Sequence, residues 1–414
     1  MELFLVGWKN VFRNKRRSIL NIIALTVGMS IMVLGLGWVQ GYGTYIYQSL
    51  IDFETGHIQV LPQAYLDEAA RLPVDVTVPD YRSSREDLLG NGDVQAVTGR
   101  VNFSMELGNG TVYVRMLGRG IDPAQEARVT VLHNYISSGD YLTAGPGILV
   151  GKPMAEKLAV KPGDTMYVKA RDRYNVENVV DVKVVGVFDF GYPAMDQNLV
   201  FMDLKTASTL LSLNNEVTRL VVRLKAGTSP AAALSSVRET VRKKLPGGDA
   251  LVAKSWKEFA QTAVTGVQSD TFSFWVTLTV IYLLIVLGIL NSMSMSIHER
   301  TGEIGTLRAI GIRRGRLVTL FLWEAVSIAV LAAIAALVIS LPLAYYLGRI
   351  GVDVSSSMPA EIPIPFGTRF HADFRLWHFL FSFGVSALTG VAGSFIPARR
   401  AARLNIARAM SGRR

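Results

Sequence analysis

Residues 271–316 read TFSFWVTLTVIYLLIVLGILNSMSMSIHERTGEIGTLRAIGIRRGR, and they decide the fold class. From Thr271 to Ile297 there is no charged side chain; Glu299, Arg300, Glu303 and Arg308 then crowd into ten residues. An α-helix rises about 1.5 Å per residue, so about 20 apolar residues cross the roughly 30 Å hydrocarbon core of a bilayer. The stretch therefore reads as a membrane span that ends abruptly at a charged surface.

Three further segments have the same character. The first is Ser18–Val39, inside a charge-free run from Ser18 to Ile51. Leu317–Leu347 is interrupted only by Glu324 and Pro342, and Leu376–Ile396 follows. Buried helices of a soluble core seldom lack charge on every face over such lengths. The first run is too long for the core of a signal peptide and ends in no clear small-x-small cleavage site, so it counts as a membrane helix. Only 18% of the 414 residues are charged, against about 25% in ordinary soluble domains.

The net charge is +10, and its placement gives the topology. Lys9, Arg13, Lys15, Arg16 and Arg17 precede the first span; Arg300, Arg308, Arg313, Arg314 and Arg316 lie between the second and third; Arg399, Arg400, Arg403, Arg408, Arg413 and Arg414 follow the fourth. These sixteen cations face only Glu2, Glu299 and Glu303, a balance of +13 that leaves −3 for the rest. Loops rich in Lys and Arg stay in the cytoplasm. Both termini and the loop after the second span are thus expected to be cytoplasmic, in the bacterial inner membrane, and a nucleic-acid partner is excluded. Phe4, Trp8, Val11 and Phe12 share one helical face, which suggests a helix lying in the headgroup layer.

The expected order is an amphipathic N-terminal helix (1–17), a first span (18–40), and a periplasmic α+β domain (41–270) of two lobes, its inner part at about 100–210. A second span (271–297), a cytoplasmic coupling helix (298–316), a third span (317–347), an outside loop (348–375), a fourth span (376–396) and a basic tail (397–414) complete it. In the outside domain GHIQVLP reads as a strand in which Ile58 and Val60 alternate with polar partners. GILVGKPMAEKLAVKPGDTMYVKA reads as strand, helix, turn and strand; DVKVVGVF and TRLVVRL read as strands. Ser229 and Pro230 sit as N-cap and first residue of a helix to Leu245.

The residues offer little for catalysis. The chain has no cysteine and five scattered histidines, and Gly302 stands where a zinc-binding His298-Glu299 pattern needs its second histidine. Gly151-Lys152 lacks the following Ser or Thr of a phosphate loop, and Pro146 stands where its first glycine belongs. His57 is expected to be structural. No metal site, cofactor site or ATP site is expected on this chain.

Within the charged loop, Ile304, Leu307 and Ile310 recur every third residue and make one apolar face, with Glu299, Arg300, Glu303 and Arg308 on the other sides. A solvated basic loop would need only the arginines. The glutamates and the ridge favour a docking helix whose apolar face enters a groove on a cytoplasmic partner. The stretch resembles the cytoplasmic loop of the MacB/FtsX-like family of ABC transporter permeases, whose usual form is near ER-x-x-EIG-x-LRAIGA; the match runs from Glu299-Arg300 through Gly311 and departs at Ile312. WKNVFRNKRRS (Trp8–Ser18) resembles the family's opening. Residues Pro397–Asn405 resemble its end, with Ile406 in place of the usual Pro.

That resemblance implies a permease that works with two separate ABC ATPase subunits, which bind the ATP and Mg, and with a second permease, identical or homologous. ATP-driven closure would be passed to the outside domains by mechanotransmission. Glu299, Arg300, Glu303, Ile304, Leu307 and Arg308 would be the coupling residues. GIDPAQ (Gly120–Gln125) resembles lipoprotein-releasing permeases, which implies lipoprotein cargo and a periplasmic carrier. MacB-like export of peptides, toxins or antibiotics, and FtsX-like signalling to a cell-wall hydrolase, are the alternatives. For lipid cargo the expected wall is Trp38, Tyr42, Ile46, Phe259, Val264, Val267, Phe272 and Trp275, at the outer ends of the first two spans, although aromatic residues collect at every membrane interface. Gly37-x-x-x-Gly41 suggests close approach of helices.

Overall fold

The computed structural model of the protein describes Trp8, Val11 and residues 15–110, 112–191, 193–353 and 369–403. The readings on Phe4, Phe12 and the tail beyond Arg403 lie outside the described residues. The chain forms two compact units. One comprises Met1–Thr44, Gly266–Val352 and Phe370–Arg414; the other comprises Tyr45–Thr265 and Asp353–Arg369.

The first helix, α1 (Lys15–Leu50), has 36 residues, which at 1.5 Å each is about 54 Å. That exceeds the roughly 30 Å of hydrocarbon it has to cross. It widens into a π-helical turn, Ile51–Thr55, which the Gly56 N–H closes by donating to the Ile51 carbonyl at 3.0 Å. Gly56 has φ +60°, and a Cβ there would stand 2.5 Å from Cγ1 of Val221, so a side chain is excluded twice over.

The unit that follows is an α+β domain on one ten-stranded sheet. Its elements are β1 (Ile58–Pro62), α2 (Tyr81–Leu89), β2 (Val94–Gly108), β3 (Tyr113–Ile121), α3 (Pro123–Val129), β4 (Ile136–Gly139), β5 (Gly147–Gly151), α4 (Lys152–Leu158), β6 (Thr165–Arg171), β7 (Glu177–Phe188), β8 (Leu199–Asp203), α5 (Leu204–Leu210), β9 (Arg219–Leu224), α6 (Pro230–Lys244) and β10 (Leu251–Ser255). The strand order is β10-β1-β9-β2-β3-β8-β5-β7-β4, with β6 pairing β2 and β7. The 15-residue β2 is the seam: Val94–Arg100 pairs with β9, while Arg100–Gly108 pairs with β3. One edge of β2 carries β9 and then β6, along Met105–Gly108, and the other edge carries β3.

Both faces of β1 are covered. It lies between β9 and β10, and Gln59 is buried, donating to the Thr55 carbonyl and accepting from Arg219. His57 stands just before the strand, and its Nδ1 accepts from the Leu224 N–H. Ser229 occupies the N-cap of α6 with no side-chain hydrogen bond, so Pro230 alone marks that start. One core spreads under β1, β2 and β9, with Val237 and Val241 of α6; a second gathers Phe53, Phe188, Phe190 and Phe201.

The helical unit adds α7 (Gln261–Glu299), α8 (Thr301–Ala309), α9 (Arg314–Arg349) and α10 (Leu376–Ala402). The helices α1, α7, α9 and α10 are long and apolar enough to cross a membrane. Small residues let α9 and α10 approach: Gly390 lies on Ala325, and Gly393 lies where a Cβ would be 2.9 Å from Ile289 of α7. Several hydroxyls bond to their own helix four residues back, Ser327 to Trp323 and Ser382 to His378 among them, which satisfies those donors in lipid. Gly37 and Gly41 do not make a helix–helix contact. They accommodate the segment before α10, where the Asp373 N–H donates to the Gly37 carbonyl at 3.0 Å and a Cβ on Gly41 would be 2.7 Å from the Ala372 Cα.

Replacing Phe201, which packs edge-on to Phe188 at 5.3 Å, with Ala should lower the stability of the α+β unit by about 3–5 kcal/mol. Tyr174→Ala, at an exposed turn, should stay within about 0.5 kcal/mol. Denaturant unfolding of the detergent-solubilised chain, followed by tryptophan fluorescence, compares the two.

Candidate functional site

The charged loop after α7 folds as the short helix α8. Its end is dictated by sequence: Gly311 takes φ +95°, the Ile312 N–H donates to the Leu307 carbonyl and the Gly311 N–H to the Arg308 carbonyl. This is the paired-bond helix stop that a left-handed glycine permits. Arg308 braces it, donating from Nη1 to the Ile312 carbonyl at 3.0 Å.

The stop divides the expected ridge. Ile304 is buried among Met293, Ile297, Leu317, Phe321, Ala398 and Ala401, and Leu307 packs against the same cluster. Ile310, past the last helical residue, turns away and is 76% exposed. Ile304 and Leu307 therefore anchor α8 to its own bundle. The outward stripe is Glu303, Thr306 and Ile310, followed by the exposed Arg313, Arg314 and Arg316.

Of the other expected coupling residues, Arg300 turns inward while Glu299 stays exposed. Arg300 is 9% exposed and faces Glu324 of α9, itself 3% exposed, with nitrogen and oxygen 3.7 Å apart. That is ion-pair range without a hydrogen bond, so the contact is Coulombic. At 3.5 Å Glu299 meets Arg17 of α1. The two pairs tie the end of α7 to α1 and to α9. Glu324 appeared in the sequence only as an interruption of the third span and Arg17 only as a topology signal. A lone carboxylate in an apolar span is itself the clue, because its cost in lipid demands a partner. Among the described residues no group of His, Cys, Asp or Glu is arranged to hold a metal ion.

The aromatic residues at the other end of the spans form a partial belt. Trp38 stands edge-on to Phe370 at 4.6 Å, and Trp275 stands edge-on to Phe381 at 6.0 Å. Phe272 is 70% exposed, and Trp38 and Trp275 are also exposed. Tyr42, Phe259 and Val264 are half-buried. Ile46 and Val267 are buried and present no wall surface, Val267 lying against Gly43. Nor do the outer halves of α1 and α7 part: Gly35 lies against Phe274, and Met32 packs with Leu278 and Tyr282. A cleft of about 960 Å³ opens between the same helices at their basic end, between Leu20, Ala24 and Val27 of α1 and Ile281, Leu284 and Gly288 of α7, with Arg16 and Arg17 at its rim. In it Asn21 donates to Ser292 across 3.0 Å.

Residues 18–240 match the MacB-like periplasmic core domain, and residues 275–406 match the FtsX-like permease C-terminal domain. The chain belongs to the MacB/FtsX-like permease family. Among similar proteins are the macrolide export ATP-binding/permease protein MacB of Agrobacterium fabrum, 23% identical over 95% of this chain and 58% of that one, and MacB 2 of Aeromonas hydrophila subsp. hydrophila, 28% identical over 56% of this chain and 33% of that one. The lipoprotein-releasing system transmembrane protein LolC of Neisseria meningitidis serogroup B is 21% identical over 80% of this chain and 78% of that one. The chain thus spans only one third to three fifths of the first MacB relatives. The periplasmic region of MacB from Actinobacillus actinomycetemcomitans covers 53% of this chain at 14% identity, with a TM-score of 0.38. The α+β unit of this permease is accordingly a MacB-like periplasmic domain, and its four apolar helices make it a membrane protein.

Removing one member of a buried pair leaves the other charge unpaired, at a cost of about 3–5 kcal/mol. Arg300→Met or Glu324→Leu alone should therefore lower the thermal midpoint in nanodiscs. The double variant should recover most of the loss, because no charge is then stranded. Scanning fluorimetry of the three variants decides it.

Proposed function

We propose that this chain is the permease of an ATP-driven ABC transporter in the bacterial inner membrane, with both termini cytoplasmic. The observation that carries the reading is the anchoring of α8. Ile304 and Leu307 hold it on the ends of α7, α9 and α10 while Glu303, Thr306 and Ile310 face away. A helix fixed on one side and open on the other suits a coupling element. A partner ATPase that presses on the outer stripe would move the span ends together. Two ATPase subunits, as separate polypeptides that bind ATP and Mg, and a second permease of the same kind would complete the machine.

For cargo the favoured reading is a lipoprotein, extracted from the membrane and passed to a periplasmic carrier. The exposed Phe272, Trp275 and Trp38 supply apolar surface at the outer ends of the spans, which acyl chains require and soluble substrates do not. The names of most of the similar proteins favour a second reading, MacB-like export through the same coupling.

Glu303→Lys and Arg313→Glu on the outer stripe should reduce ATPase association and ATP-driven work at least tenfold while the thermal midpoint stays unchanged. Pull-down of the ATPase with each variant measures this, and unchanged association would sink the docking role. For the cargo, the chain is depleted in its host and the lipoproteins of both membranes are counted by mass spectrometry. Accumulation in the inner membrane is expected; normal sorting would favour export.

A further inference from the structure

At their basic ends α1 and α7 part to leave the cleft of about 960 Å³, a volume at the upper end of the roughly 300–1,000 Å³ of small-molecule sites. Toward the middle of the bilayer it is shut, because a Cβ on Gly28 would stand 2.6 Å from Cδ1 of Ile285. Along α1 the cleft runs from Arg16 to Gly28, which at 1.5 Å per residue is about 18 Å. Half of the roughly 30 Å hydrocarbon core is about 15 Å. The cleft is therefore about as deep as one leaflet. It also opens sideways: Leu20 and Leu284 on its walls are 66% and 62% exposed, and a Cβ on Gly288 would meet nothing within 4 Å.

The chemistry changes along this depth in one order. Arg16 and Arg17 stand at the mouth, where Arg17 meets Glu299 at 3.5 Å. Arg16 is exposed and has no ion-pair partner among the described residues. Two cations against one carboxylate leave the mouth net positive. About one turn deeper, Asn21 donates to Ser292 across 3.0 Å, and Ser292, accepting there, keeps its own O–H to offer. Beyond that pair Ala24, Val27, Ile281 and Leu284 line the cleft with hydrocarbon. Cation, hydrogen-bond donor and hydrocarbon follow each other as phosphate, ester carbonyls and acyl chains do in a glycerophospholipid. A soluble substrate has no use for a leaflet-deep apolar groove that opens sideways. A second copy of the chain packed here about a two-fold axis would bring its own Arg16 and Arg17 up to these, like charge against like.

We infer that the cleft binds one phospholipid of net negative charge from the cytoplasmic leaflet. Its phosphate sits at Arg16 and Arg17, its ester carbonyls at Asn21 and Ser292, and its chains between α1 and α7. The planar guanidinium fork suits a phosphate, to which it offers paired donors. Basic residues beside any span attract anionic lipid, but charge alone gathers a loose ring of lipids and does not hold one molecule by its chains. The lipid is a resident of the bilayer and not cargo, which the proposed function places at the opposite end of the spans. The choice of leaflet rests on the proposed orientation; the existence of the site does not.

The test puts the full chain into nanodiscs of equal parts phosphatidylglycerol and phosphatidylcholine and counts the lipids it retains by native mass spectrometry. One phosphatidylglycerol per chain is expected, favoured about fivefold or more over phosphatidylcholine, the ratio that about 1 kcal/mol for one arginine near anionic lipid implies. Arg16→Glu should erase that preference. Gly288→Leu, whose side chain enters open space in the cleft, should abolish retention of both lipids. Both variants should keep the parent's thermal midpoint in phosphatidylcholine alone. Equal retention of the two lipids by the parent, or parent-like retention by either variant, overturns the site. So does a parent dimer that Gly288→Leu splits, since the groove then belongs to a second copy. The chain has no native cysteine, so Gly302→Cys, where a Cβ also meets nothing within 4 Å, reports orientation through an impermeant maleimide on spheroplasts. Protection is expected; labelling from outside overturns the leaflet and the proposed orientation together, while the lipid count still decides the site.

Discussion

Inside lipid every backbone N–H and C=O must find its partner within the protein, and a single helix does this without help from a neighbour. That constraint shapes the chain beyond the bilayer as well. Because α1 and α7 are already hydrogen-bonded rods where they leave the hydrocarbon, nothing obliges them to stop there, and they run on for 36 and 39 residues. The sheet strands β1 and β10 then follow closely on the end of one and precede the start of the other.

Charge is placed in a similar manner in each of the two units. At the basic end, Arg17–Glu299 and Arg300–Glu324 tie α1, α7 and α9. In the periplasmic unit, Arg119–Glu54 and Arg223–Asp52 tie the last turn of the first helix to the strands. Hydrophobic packing is abundant at both places but is indifferent to small rotations. Ion pairs are not, which explains why charges sit where apolar residues would give equal stability.

The sequence made some of this readable and hid the rest for identifiable reasons. Charge-free runs revealed the four spans, because lipid penalises charge at every face of a helix. The period of Ile304 and Leu307 correctly marked an apolar face of α8, but a period tells which residues share a face, not what covers it. It covered the protein's own bundle. Ile310 left that face because Gly311 ended the helix, a stop that periodicity does not weigh. Gly37 and Gly41 signalled close approach correctly and the wrong neighbour, since the segment that fills them lies more than 330 residues away. The partners of Glu54 are likewise remote: Arg119 is 65 positions along the chain. No local pattern carries such a pairing, so the arginine cluster went unseen until the fold brought it together.

The pairing of Arg300 with Glu324 also bears on how the protein is made. Arg300 precedes Glu324 by 24 residues, so its cation is already in place at the membrane surface when the carboxylate reaches the bilayer. A carboxylate in the middle of a span costs about 2.5–3.5 kcal/mol to insert alone, and one near the end that meets a waiting cation costs less. The order of the two residues along the chain, and not only their distance in the finished fold, thus favours entry of the third span with its charge already neutralised.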